Sequence, residues 1–228
     1  MKRILTLAVA AAALACGSNN SSNAAVSHNS PGTGTNTLKV GVITAANLPT
    51  TTTPQTTFSV TVTDGTGATV NGATVSISNA SVPGGVVNLT QAAAGSPYTA
   101  NVASYPSGDF RLNVVSGTDS VQGVAVGGVG VHTINSPAQN GTVPANQPLD
   151  VTWTTPAVAK QVSITTRDLA LTSAPDTGDF TISAANNPVR AGQRVIVTRS
   201  NEVEAAGGLV GSSLNVSYAN RIDPYTVQ

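Results

Sequence analysis

Side-chain chemistry needs a nucleophile, a base, a pair of carboxylates or a metal-ligating cluster, and this 228-residue chain holds few of each. It has one cysteine, Cys16, and two histidines, His28 and His132. Ten carboxylates are scattered from Asp64 to Asp223. General acid–base catalysis needs two such groups held together with separated pKa values. The nearest approach to a pair is Asp176-Thr177-Gly178-Asp179. Two carboxylates around a glycine could contribute to a calcium site, but the spacing fits no EF-hand loop, so a solvated turn is expected. Serines are plentiful, yet no G-x-S-x-G elbow occurs. A zinc site needs three or four ligands, and His132 is the only histidine past residue 28. Neither a Walker loop nor G-x-G-x-x-G is present. No catalytic, cofactor-binding or metal-binding residue is therefore assigned.

Three further features could serve recognition. Trp153 is the only tryptophan and continues the alternation Leu149-x-Val151-x-Trp153. An indole on that inward set is expected in the core, although it could also stack on a sugar. The tract 190–204 concentrates Arg190, Arg194 and Arg199 close to Glu202 and Glu204. It could meet an acidic partner or an anionic polymer; a charged edge strand that resists edge-to-edge pairing is the expected reading. The four tyrosines Tyr98, Tyr105, Tyr218 and Tyr225 complete the groups able to grip a ligand.

The elements that position these residues begin with an export signal. Lys2 and Arg3 precede the uncharged run Ile4 to Ala15, which suits a signal core and is too short for a span of about 20 residues. The chain then turns polar. Ala13-Leu14-Ala15-Cys16 resembles the lipobox of bacterial lipoproteins, with Leu14 two residues before the cysteine where that family prefers three. The resemblance implies cleavage before Cys16, lipid on its thiol and amine, and attachment to a membrane. Gly17 stands where an Asp would imply inner-membrane retention, so the outer membrane or cell surface is implied. Ala13-x-Ala15 also suits ordinary signal peptidase, which leaves simple secretion as the alternative. Cys16 has no second cysteine to pair with, which excludes an internal disulfide. Residues 16–37, rich in Ser, Asn and Gly, read as a flexible tether that contains His28 as a solvated bystander.

From residue 38 onward the pattern has a period of two. Only 9% of residues are charged and 40% are hydrophobic, with β-branched types abundant, which describes strands with hydroxyls and amides on their outer faces. Removing Lys2 and Arg3 leaves 8 basic against 10 acidic residues, and no basic patch remains for nucleic acid. Residues 38–131 predict about seven strands, enough for a sandwich. Residues 132–228 predict a second set, with strands at 149–153, 162–164, 180–182, 195–197, 214–218 and 222–227. The fold class expected is all-β: two tandem Ig-like antiparallel β-sandwiches behind a signal peptide (1–15) and the tether.

FSVTVTDGTGATVNGATVSIS (58–78) and YTANVASYPSGDFRLNVVSG (98–117) resemble bacterial Ig-like and carboxypeptidase-regulatory-like domains. LDVTWTTPAVAKQVSITTRD (149–168) resembles the early strands of fibronectin type III domains, without their usual tyrosine on the next strand. These resemblances imply fold rather than activity. The function expected is a cell-envelope lipoprotein with a structural, adhesive or protein-binding role and no catalysis. Its partners would be a membrane, through Cys16, and another envelope protein or a polysaccharide. A carbohydrate- or small-ligand-binding lipoprotein and a protomer of an extracellular assembly are the alternatives.

Overall fold

The computed structural model describes residues 29–46 and 54–228. The signal segment, Cys16 and His28 lie outside them. Alternating β-branched and polar residues produce strands throughout: β1 (Thr33–Gly34), β2 (Lys39–Ala46), β3 (Thr56–Thr63), β4 (Thr74–Ser78), β5 (Val86–Gln91), β6 (Tyr98–Val102), β7 (Asp109–Ser116) and β8 (Asp119–Gly127). There follow β9 (Ile134–Ser136), β10 (Thr142–Val143), β11 (Leu149–Trp153), β12 (Gln161–Thr166), β13 (Thr172–Ala174), β14 (Asp179–Ile182), β15 (Arg190–Glu204) and β16 (Ser213–Val227). One three-residue 3₁₀ turn, Ala184–Asn186, is the only helical element among the described residues. Among the described residues no helix is long and apolar enough to cross a membrane.

β2 to β8 are the seven strands expected of residues 38–131. β8, β7, β4 and the first part of β5 form one layer, edged by β1. β5 then crosses to the other layer, pairing Thr90 and Gln91 with β6, and that layer continues through β3 and β2. Phe58, Val60 and Val62 from one layer meet Val75, Ile77, Phe110 and Leu112 from the other in a single core. Tyr98 ties the loop before β4 to this core: its hydroxyl donates to the Val70 carbonyl and accepts from the Ala73 amide.

The second Ig-like sandwich packs the three-stranded sheet β14-β11-β9 on the sheet β13-β12-β15-β16. Leu149, Val151, Trp153 and Ile182 face Val162, Ile164, Val195, Val197, Tyr225 and Val227. The short strands β9, β10 and β13 have too few alternating residues to be read from sequence. The chain is all-β and mainly antiparallel, but β16 pairs in parallel with β2 and with β10, a departure from purely antiparallel sheets.

Two further findings correct the chain-order picture. The strands expected at 195–197 and 222–227 are parts of two 15-residue strands, β15 and β16, each about 50 Å long. Leu214, Val216 and Tyr218, expected in the second sandwich, pack in the first core, where β16 lies beside β2. The alternation is that of a strand, but a period of two reports that one face is buried and not what covers it. The second correction concerns the tether. Residues 29–37 are not free: Ser30 pairs with Ala125, and Thr33 and Gly34 with Gln122 and Val121 on β8. They carry almost no apolar side chains, so their composition reads as linker, yet backbone bonds need no side chains.

Candidate functional site

The densest group of ionisable and aromatic side chains lies where β15 and β16 pass from one core to the other. Along β15 the inward set runs Gln193, Val195, Val197, Arg199, Asn201. The alternation keeps its phase while its chemistry changes from aliphatic to polar. Arg199 is consequently fully buried. Its Nε donates to Asp176 Oδ1 at 2.9 Å and its Nη2 to Asp176 Oδ2 at 2.5 Å. Nη1 donates to the Val129 carbonyl at 2.6 Å, and Nη2 also donates to the Ala157 carbonyl. One guanidinium thus holds the end of the first sandwich, the loop after β11 and the loop before β14. A bidentate, charge-assisted pair of this kind fixes orientation as well as distance.

Asp176 has no capacity left for a cation. Besides Arg199 it accepts from the Trp153 indole at 3.3 Å and from the Ala159 amide at 3.1 Å. Burial works to raise its pKa, but the Arg199 and Trp153 hydrogen bonds and the Arg199 charge outweigh it, and the carboxyl sits below its ordinary value. Asp179 is exposed on β14, where its backbone pairs with Thr152. The structure therefore replaces both the calcium notion and the solvated turn for Asp176: a guanidinium occupies the place of a cation. No group of three metal-ligating side chains occurs among the described residues.

His132 is buried against the same junction. Its Nε2 lies 3.1 Å from the Val197 carbonyl, which can only accept, so Nε2 carries the proton. Nδ1 has no partner, and its ring meets Tyr218 edge-on at 5.2 Å. Burial first, and the Arg199 charge second, push its pKa down to about 4. A neutral, enclosed imidazole whose one proton is spent on a backbone carbonyl is a packing group. Tyr105 stacks edge-on against Tyr218 and accepts from the Val129 amide; burial raises its pKa. Asn201 donates to the carbonyls of Gly127 and Val158 and accepts from the Lys160 amide, while Asn220 donates to the His132 carbonyl. Of these contacts, Asn201 with Gly127 and Tyr105 with Tyr218 join residues from opposite sides of position 131.

The tract 190–204 proves not to be an edge strand: β15 runs between β12 and β16. Its arginines do not face Glu202 and Glu204. Arg190 makes a bidentate pair with Asp168, at 2.6 and 2.5 Å, and Arg199 pairs with Asp176. Trp153 is 4% exposed, in the core as expected. Seven of the eight aromatic residues are buried and the eighth, Phe180, is half-buried. Beside the junction lies a slot of about 370 Å³, whose lining includes Gly108, Gly127, Gly128, Gly130, Val131 and Pro156. On the outer sheet face a shallow hollow of about 440 Å³ is lined by Lys160, Gln161, Glu202, Glu204, Ser212 and Ser213 among others. The hollow sets Ser212 and Ser213 near Glu202 and Glu204, and the slot has Ser107 and Asp109 in its lining; the Ser212 hydroxyl accepts from the Val40 amide.

No family model and no curated protein matches the chain. Among solved structures, the fibronectin(III)-like modules of Clostridium thermocellum CbhA align with 82% of this chain and 94% of their own, at 14% identity and a TM-score of 0.26. At that score the likeness carries no further argument.

Proposed function

We propose that the chain is a lipid-anchored cell-envelope protein whose exported part is a non-catalytic, rigid β-body with a structural, adhesive or protein-binding role. The observation that carries this reading is the use made of its reactive groups. Arg199, Asp176, His132, Tyr105 and Tyr218 are the groups most able to do chemistry, and their contacts hold two sandwiches as one piece. What the body turns outward is largely hydroxyl, amide and aliphatic. The anchoring part of the reading rests on Lys2, Arg3, the apolar run to Ala15 and the unique Cys16. A lipid chain contributes about 0.8 kcal/mol per buried CH₂, and two or more chains hold a protein stably.

Metabolic labelling with a palmitate analogue tests the anchor. The native chain is expected to take up label and to sediment with membranes, and Cys16→Ala to do neither. Label that survives the substitution overturns the anchor at Cys16. Burial of seven of the eight aromatic side chains counts against the carbohydrate-binding alternative where it relies on stacking.

A further inference from the structure

Residues 29–37 lie as a strap in a groove between β8 and the turn at 205–208. Ser30 and Ala125 exchange both backbone hydrogen bonds, at 2.9 and 2.8 Å. The Gly127 amide donates to Asn29 Oδ1, the Thr35 amide to the Ser120 carbonyl, and the Ser120 amide to Thr35 Oγ1. From the other wall the Ala206 amide donates to the Pro31 carbonyl, and the Asn36 amide donates to the Gly207 carbonyl. No residue of the strap is buried. Beneath it Val121, Val124, Ala125 and Val126 are all fully buried. Without the strap, β8 would present an open edge, the feature that invites strand addition.

The groove is selective. A Cβ at Gly34 would stand 2.3 Å from the Ser120 carbonyl oxygen and 2.4 Å from that of Gly207. Gly32 has a φ of +71°, and a Cβ there would stand 2.4 Å from the Gln122 carbonyl oxygen. A strand occupying this groove must carry glycine at both positions. The chain's own Pro31-Gly32-Thr33-Gly34-Thr35 meets that requirement.

We propose that the groove is an exchange site: the strap of a second copy of this chain takes the place of the resident one, joining copies through β8 in the same register. The strap is held by its backbone, its hydroxyls and the Asn29 side-chain amide, and a second copy's strap would make every one of these bonds. No buried side chain has to be extracted for the strap to leave. Exchange of an identical element conserves the contacts and is a low-cost route to association. The glycine requirement makes a second copy, rather than an arbitrary extended peptide, the fitting partner. This inference does not depend on lipid at Cys16.

Thr33 and Gln122 face each other across the strap and are both exposed, which provides the test. Two full chains are prepared, each with Cys16→Ala, one with Thr33→Cys and the other with Gln122→Cys. Neither can close an internal disulfide. Mixed and oxidised, they are expected to give a disulfide-linked heterodimer at least about tenfold above a Thr33→Cys plus Val189→Cys control, because strand pairing raises the local thiol concentration. Adding Gly34→Val to the Thr33→Cys chain is expected to reduce the yield to the control. Equal yields for the two pairings overturn the exchange, and an undiminished yield with Gly34→Val overturns the selectivity. A second measurement leaves the strap and β8 unsubstituted: isotopically light and heavy copies are mixed and weighed by native mass spectrometry. Mixed dimers support the exchange, and a strict monomer at the highest soluble concentration overturns it.

Discussion

At the scale of single residues, the decisive fact is that Arg199 is inward, buried and hydrogen-bonded through all three guanidinium nitrogens. Removing it would leave Asp176 enclosed with only the Trp153 indole and the Ala159 amide as donors. Breaking one side of a buried ion pair costs about 3–5 kcal/mol, so Arg199→Met is expected to lower the urea-unfolding free energy by that amount. Arg199→Met with Asp176→Leu should recover a large part, because no unpaired charge remains. A double variant no more stable than the single one would show that the pair is not the source of the loss. His132 sets a pH dependence of definite sign. Its pKa falls from about 6.5 unfolded to about 4 folded, so the unfolded chain binds the extra proton between those values. Its contribution is complete above pH 6.5, declines as pH falls toward 4, and changes no further below that. The shift corresponds to about 3 kcal/mol. Asp176, with its lowered pKa, loses its contribution only at more acidic pH, as pH falls through its folded value. Unfolding midpoints measured from pH 7 to pH 4 should therefore fall for the native chain and flatten for His132→Gln. Little of this was legible in sequence. Arg199 has Glu202 and Glu204 as neighbours in the chain, but its partner lies 23 positions away, and only the fold brings Asp176 to it.

At the scale of elements, the alternation of apolar residues located most strands but not their partners. Leu149-x-Val151-x-Trp153 and Phe58-x-Val60-x-Val62 form the strands that their period demands. Leu214-x-Val216-x-Tyr218 does too, but it completes the first sandwich from far beyond position 131 in the chain. Parallel pairing of β16 with β2 leaves no turn signal, because the two strands are joined by most of the chain. A consequence follows for excision. Residues 29–131 lack Leu214, Val216 and Tyr218, and with them the strand that flanks β2. That fragment is expected not to fold cooperatively, with broad amide proton resonances and dye binding to its exposed core. A well-dispersed spectrum from 29–131 would refute this. A milder probe is Tyr218→Ala, which empties an aromatic site between the two cores. Large-to-small changes of this kind cost about 3–5 kcal/mol, and the loss should be visible in probes placed in either sandwich.

At the scale of the whole molecule, two sandwiches usually imply two folding units joined by a linker. Here two strands of about 50 Å supply inward residues to both cores. Val195 and Val197 of β15 belong to the second core while Ala205, just past its end, belongs to the first; β16 divides the same way. Neither core can lose its share of β15 and β16 without exposing the other, and Arg199, Asn201 and Asn220 tie the intervening loops to the same strands. Unfolding is therefore expected to be a single event. Calorimetry should give one transition whose calorimetric and van't Hoff enthalpies agree, the mark of two-state behaviour. Two resolved transitions would mean that the shared strands split at the junction. Arg199→Met sharpens the test: if the junction couples the cores, the substitution should lower the transition temperature and also begin to separate the two enthalpies, whereas a purely local defect would lower the temperature and leave them equal.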